Sequence, residues 1–321
     1  MDHLLHVDGL QTHFKSDTHC ITAVDGVSFA IAENEVLGLV GESGSGKSIT
    51  ALSVLQLLPA SATSSATILT YRGEALLSAS PKRLREIRGK EIGLIFQNPL
   101  AALNPVFTIG EQLIETLTIR GGLSKTAARE KAIALLNQVN IPDAGRRLDD
   151  YPHQFSLGMC QRIVIALTLS LEPKLLIADE PTASLDVTVQ AQVMALLKEI
   201  QRQHQMSMLL ISHDLGVIAQ NCDRVMVMYL GRIVEVGTPN DIFLNPKHPY
   251  TQALIRAIPS TNPNQKQVFN ALKGEIPSPL AIPSGCRFHT RCPVAEARCR
   301  QEDPSLTACS SDGHLAACVL V

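Results

Sequence analysis

The 321-residue chain is long enough for about two domains and a sizeable core. Its 28 basic residues nearly balance 30 acidic ones, a formal charge of -2, so no basic field points to nucleic acid. Hydrophobic residues make up 45% and charged residues 18%, which suits buried parallel strands, yet no run approaches the roughly 18 apolar residues that would cross a bilayer.

The start, Met1-Asp2-His3-Leu4-Leu5-His6, lacks the basic-then-apolar order of a secretory leader, which predicts a cytosolic protein. From Leu4 to about Gly237, apolar strand-like runs alternate with helical periodicity. Glu35–Val40 is a short apolar strand. It feeds Gly41-Glu42-Ser43-Gly44-Ser45-Gly46-Lys47-Ser48, a complete G-x-x-x-x-G-K-S loop. Glycines let consecutive backbone N–H groups turn inward on phosphates, Lys47 can reach the β/γ oxygens, and the Ser48 hydroxyl can ligate Mg²⁺. Ile49–Leu58 reads as the helix whose N-terminus faces the anion. The loop therefore predicts a site for ATP or GTP.

Three further apolar runs, Ile92–Phe96, Leu175–Ala178 and Met208–Ile211, end in polar residues, as central parallel strands do. The first ends at Gln97, whose amide can sense metal or water, although a Gln before Asn-Pro also suits a plain turn. Residues 98–171 hold helical periodicity (Ala132, Leu135, Leu136, Val139) and no convincing strand, and read as a helical insertion. The second run ends at Asp179 and Glu180. The first acid can hold the Mg²⁺ shell, and the second can polarise water for attack on a γ-phosphate. Asp186 suits a helix N-cap, before a helix marked by Val189, Val193, Leu196 and Ile200. The third run leads to His213, whose neutral imidazole can bond a γ-phosphate oxygen. Val225–Tyr229 and Arg232–Val236 read as two strands around a tight turn.

After Pro246 the character changes. A helix-like Tyr250–Ile258 leads into a segment rich in proline, polar residues and cysteine. Of eight cysteines, Cys20, Cys160 and Cys222 are scattered, and five crowd into residues 286–318. In a reducing compartment such a crowd favours metal binding over disulfides.

Taken together in this order, these residues resemble the ATP-binding cassette of ABC transporters over roughly residues 4–245. The family's Q-loop falls on Gln97 and its signature on Phe155-Ser156-Leu157-Gly158-Met159-Cys160-Gln161-Arg162. Its Walker B strand closes on Asp179 and Glu180, its D-loop falls on Ser184-Leu185-Asp186, and its switch histidine on His213. The resemblance implies an α/β P-loop NTPase cassette with a mainly parallel central sheet, an antiparallel β subdomain and a helical subdomain. It also implies that two cassettes sandwich two ATP molecules, each between one phosphate loop and the other subunit's signature, and drive two transmembrane permease subunits. Glu180 becomes the general base and His213 the γ-phosphate sensor. Gln97, Ser48 and Asp179 serve Mg²⁺. Residues 41–49, Ser156, Gly158 and Asp186 touch nucleotide, and Phe14, just ahead of a loop expected over Lys15–Thr22, is the candidate for stacking adenine. The signature departs from the usual L-S-G-G-Q, and Leu157 in place of the first glycine brings a side chain to a helix N-terminus meant to approach phosphate. The expected defect lies at the composite site formed with the partner, with this chain's own ATP site competent.

His248-Pro249-Tyr250-Thr251 and the cysteines beyond resemble the extension of dipeptide and oligopeptide importer ATPases, a group that also handles nickel complexes and glutathione. Residues 1–245 then form the ATP-binding domain and 246–321 the Cys-rich extension. Cys286, Cys292, Cys299 and Cys318 stand at C-x5-C-x6-C-x18-C and can hold Zn²⁺ or a [4Fe–4S] cluster, with Cys309 able to replace Cys318. The group's pattern favours iron–sulfur, in a structural role. The implied partners are the two permeases, a second ATP-binding subunit (copy or paralogue) and an extracytoplasmic solute-binding protein, at the cytoplasmic face of the inner membrane. A soluble cassette ATPase of DNA repair or translation, and a subunit that holds ATP for regulation while a partner turns over, are the rival readings.

Overall fold

The computed structural model describes residues 3–16, 19–257, 274–309 and 313–321. In chain order the elements begin with β1 (Leu5–Lys15), β2 (Cys20–Ile31), β3 (Val36–Val40), α1 (Lys47–Val54), β4 (Ala62–Ser65), β5 (Ile68–Tyr71), β6 (Glu74–Ala75), α2 (Pro81–Lys90) and β7 (Ile92–Ile95). Five helices follow: α3 (Pro99–Ala102), α4 (Ile109–Ile119), α5 (Lys125–Gln138), α6 (Ala144–Arg147) and α7 (Leu157–Leu169). Then come β8 (Leu175–Asp179), α8 (Val187–Gln203), β9 (Ser207–Ser212), α9 (Leu215–Asn221), β10 (Arg224–Tyr229) and β11 (Arg232–Gly237). The chain closes with α10 (Pro239–Leu244), α11 (Pro249–Arg256), β12 (Thr307–Ala308) and β13 (Leu315–Ala316). The described residues form two compact units, one drawn from 1–32, 36–78 and 211–321, the other from 33–35 and 79–210.

In the first unit, β1 is the centre of an antiparallel sheet, order β2-β1-β5-β6 with β4 also on β1. Its inward set is Leu5, Val7, Leu10 and Thr12. The step from Val7 to Leu10 breaks strict alternation, and a bulge there restores the phase, with Gly9 at φ 62. A second sheet runs β12-β13-β11-β10-β3, with β10 parallel to β3 and antiparallel to β11. All five residues of β3 are buried, as a strand covered on both faces requires. Thr12 of β1 and Ser53 of α1 share a buried hydroxyl bond of 2.7 Å.

The second unit pairs β7 and β8 in parallel, in the order β9-β8-β7. Between β7 and β8 the chain is helical with no strand, as the sequence predicts for 98–171. The α5 stripe Ala132, Leu135, Leu136 and Val139 is buried, and so are Val193, Leu196 and Ile200 of α8.

Three boundaries differ from the sequence reading. Helix α1 spans Lys47–Val54 rather than Ile49–Leu58, because Gln56 turns left-handed (φ 53) and Leu57 N donates to Leu52 O. The loop expected over Lys15–Thr22 is narrower, since β1 keeps Lys15 and β2 starts at Cys20, with residues 17 and 18 outside the described ones. The helix expected over Tyr250–Ile258 is α11, and Ile258 with residues 259–273 lies outside the described residues.

Candidate nucleotide-binding site

In the first unit the phosphate loop lies hard against its neighbours. A Cβ on Gly41 would sit 2.2 Å from Met228 O, and one on Gly46 (φ 109) 2.5 Å from Ala23 O. Both glycines are therefore demanded by close backbone approach, independently of any ligand. Gly231 N, in the β10–β11 turn, donates to Ser45 O at 2.8 Å. Lys47 is 4% exposed, and its Nζ donates to Gly41 O at 2.8 Å and Glu42 O at 3.0 Å. The ammonium thus rests across the loop's own carbonyls, which a triphosphate's oxygens can replace. Ser45 Oγ is buried with no hydrogen-bond partner among the described residues, a polar atom still to be satisfied. Ser43 and Gly44 are exposed at the crown of the loop, while Ser48 and Ile49 are half-buried. Phe14 is half-buried on β1, opposite Ile21 and Ala62. His213 is exposed, between β9 and Asp214, which N-caps α9.

The second unit carries the acidic strand end. Glu180 follows β8 in the left-handed region (φ 47), a conformation that costs a non-glycine residue energy and often marks a working site. Gln97 Nε2 donates to Glu180 Oε2 at 3.0 Å, so these two sequence-predicted residues meet. Asp179 is half-buried beside them in sequence. Asp186 N-caps α8, accepting from Thr188 N and Val189 N at 3.0 Å each. Ser156 N-caps α7, accepting from Met159 N at 3.3 Å. A Cβ on Gly158 would lie 2.6 Å from Val189 Cγ1, so this glycine is required by α7–α8 packing. Leu157 opens α7 half-buried and outside the left-handed set, so it strains no backbone.

The C-terminal segment belongs to the first unit and holds residues that sequence reasoning missed. Glu235 of β11 is fully buried and accepts from Lys247 N (2.7 Å), His248 N (3.0 Å) and His314 Nε2 (2.8 Å). His248 caps α11 by accepting from Tyr250 N at 3.1 Å, and burial lowers its pKa to about 3, so the ring stays neutral. Asp25 accepts from Arg232 Nε (3.0 Å) and Nη2 (2.9 Å) and from Arg287. Burial raises the Asp25 pKa, but the two guanidiniums outweigh it and hold the carboxyl below its usual range. Strand β13 extends the sheet, pairing Ala316 with Glu235 and Leu315 with Val236. Tyr229, Tyr250 and Phe288, all buried, meet with ring centroids 4.7–5.4 Å apart. Arg291, between Cys286 and Cys292, grips Glu42 with Nη1 at 2.7 Å and Nη2 at 3.0 Å. An arginine in a cysteine-rich segment reads as surface charge, and no spacing betrays a partner 249 residues away.

None of the eight cysteines is disulfide-bonded. Glu296 N donates to Cys299 Sγ at 3.4 Å. Burial raises the thiols of Cys286, Cys292 and Cys318, and the charges of neighbouring cysteines raise them further. The sulfur of Cys309 instead donates to Thr307 O at 3.6 Å. Among the described residues no three His, Cys, Asp or Glu stand at metal-binding separations.

Residues 24–183 match the ABC transporter family, and residues 234–299 match the oligopeptide/dipeptide transporter C-terminal region. The chain is 44% identical over 315 residues to the dipeptide transport ATP-binding protein DppD of Escherichia coli K12, covering 98% of this chain and 96% of that one. A peptide import ATP-binding protein of Brucella abortus (strain 2308) is 48% identical over 304 residues, 95% of this chain and 91% of the relative. Among solved structures, the cassette MJ0796 in a dimeric post-hydrolysis state bound to ADP and Pi superposes with TM-score 0.65 at 25% identity, covering 73% of this chain and 98% of that one. CbiO1 of Clostridium perfringens, part of the ABC transporter complex cbiONQ, gives 0.63 at 28% identity, covering 76% and 92%. The chain belongs to the ABC transporter family of ATP-hydrolysing cassettes. Among the described residues no helix is long and apolar enough to cross a membrane.

Proposed function

We propose that this chain is the ATP-binding and ATP-hydrolysing subunit that energises import of peptides or related small solutes. The observation that carries the reading is the complete Gly41–Ser48 loop with Lys47 held inside it, on a chain whose relatives are named for dipeptide transport along nearly their whole length. Residues 1–245 act as the ATP-binding domain, with residues 98–171 as its helical part, and residues 246–321 act as the extension. Lys47 and the loop amides grip the phosphates, Phe14 stacks on adenine, and Ser48, Asp179 and Gln97 hold Mg²⁺, which neutralises phosphate charge. Glu180 orients and deprotonates the attacking water, and its bond from Gln97 supports that role. His213 reads the γ-phosphate. Ser156, Gly158 and Asp186 serve a second cassette, and the pair sandwiches two ATP molecules. Leu157 weakens the composite site that this signature completes.

The partners are two membrane permeases, a second ATP-binding subunit and an extracytoplasmic solute-binding protein, with the chain at the inner membrane's cytoplasmic face. We further infer that Cys286, Cys292, Cys299 and Cys318 hold a [4Fe–4S] cluster, which when bound ties the extension together. Its support is the donor set: four thiols within residues 286–318, at the C-x5-C-x6-C-x18-C spacing. Anaerobically purified protein is expected to absorb broadly near roughly 400 nm, and a flat spectrum would remove the cluster. For the transport reading, vesicles bearing the assembled importer should accumulate a radiolabelled dipeptide only with ATP, and Lys47→Ala should stop it. ATP-independent accumulation would refute the reading.

A further inference from the structure

A carboxylate at position 42 is electrostatically out of place, because the loop that carries it is built to receive a polyanion. Left alone, Glu42 would repel the phosphates that the neighbouring amides and Lys47 attract. The fold holds this residue at three points. Its carboxylate takes both terminal nitrogens of Arg291 (2.7 and 3.0 Å), its N–H donates to Tyr250 Oη at 2.8 Å, and its carbonyl accepts from Lys47 at 3.0 Å. Two of these three partners belong to the segment beyond Pro246. The Arg291 side chain is 4% exposed and lies over the Tyr229 ring, 5.8 Å from its centroid, so its planar fork has one orientation available. The Glu42 bonds raise its pKa, and it stays charged throughout the accessible pH range.

We propose that Arg291 is a positioning residue of the nucleotide site: by neutralising and fixing Glu42 it makes the C-terminal segment set the phosphate loop's affinity for MgATP. This rests on the reading that the loop binds ATP. The residue does not touch nucleotide in this scheme. It acts through Glu42, whose carbonyl holds Lys47, so the same contact sets both the loop's potential and the starting position of the lysine. Because Arg291 is next to Cys292, anything that loosens the cysteine segment also frees the Glu42 charge.

The test is the dissociation constant of MgATP for the full chain, measured by displacement of a fluorescent ATP analogue. Arg291→Gln should weaken MgATP by roughly tenfold, because it leaves the Glu42 carboxylate uncompensated near the phosphates. Adding Glu42→Gln to that variant should restore affinity to within about threefold of the parent chain, since the offending charge is then gone. A merely structural arginine would not be relieved by changing its partner. Arg291→Lys keeps the charge but loses the two-pronged grip, and should fall between, at about threefold. If Arg291→Gln lacks a cooperative melt, Arg291→Lys and Tyr250→Phe carry the test, each expected to weaken binding by about threefold. Parent-like affinity in Arg291→Gln, or a double variant as weak as the single, overturns the proposal. A parent chain with no MgATP affinity would instead sink the ATP reading beneath it, a result separable because Lys47→Ala would then change nothing.

Discussion

Replacing Glu235 by alanine removes a buried side chain on which two parts of the C-terminal segment, residues 247–248 and His314, converge. The carboxylate is fully buried and accepts two consecutive backbone N–H groups, of Lys247 and His248, and the His314 ring. Each hydrogen bond to a carboxylate contributes about 1.5–3 kcal/mol, but bonds that share one acceptor group do not add. Truncating the hub of a buried charged network costs about 3–5 kcal/mol, chiefly because the stranded donors stay out of water. For a chain of this size that lowers the melting temperature by roughly 6–15 °C. Differential scanning calorimetry of the full chain measures it. Glu235→Gln keeps one acceptor oxygen and turns an amide donor toward other donors, so it should lose about half as much. A Glu235→Ala chain that melts within about 2 °C of the parent would refute the argument, as would a glutamine variant no better than alanine.

His248 gives a pH dependence with a definite sign. Its folded pKa of about 3 lies below the unfolded 6.5, so its contribution is intact above pH 6.5 and is lost as pH falls toward 3. Stability should drop by about 1.4 kcal/mol per pH unit below 6.5, and His248→Asn, which keeps an N-cap acceptor without titrating, should flatten that slope in urea melts. An unchanged slope would contradict the burial argument. Gly41→Ala should abolish MgATP binding, because its Cβ would meet Met228 O at 2.2 Å, and calorimetric titration showing intact affinity would disprove the close approach. Gly158→Ala should destabilise by about 1–3 kcal/mol through Val189 Cγ1 at 2.6 Å, and Val189→Ala added to it should recover most of that loss in thermal melts.

What the sequence discloses well is whatever depends on local pattern. The five-residue apolar run of β3, the glycine spacing after it, and the paired acids at the end of β8 each follow from chemistry within a dozen residues. The α5 stripe is equally plain, since a 3.6-residue period survives any tertiary context. Docking of the extension was hidden for the opposite reason. Strands β12 and β13 have two residues each, too few to show a period, and they pair only because β11 offers a free edge. Glu235 looks like an ordinary polar position within β11, and only the return of the chain at Lys247 and His248 explains its burial. Arg291 looks like a surface charge and Glu42 like one more residue of the phosphate loop, and only the fold pairs them. The left-handed turn at Glu180 likewise has no marker, because acidic residues carry no preference strong enough to announce it.

In the proposed function Glu180, placed by Gln97, drives cleavage of an ATP gripped by Lys47. Its most direct test is steady-state ATP hydrolysis by the assembled importer carrying Glu180→Gln, with ATP binding measured in the same preparation. Turnover should fall at least about a hundredfold, with nucleotide affinity kept within about threefold. Turnover that survives the substitution would contradict it.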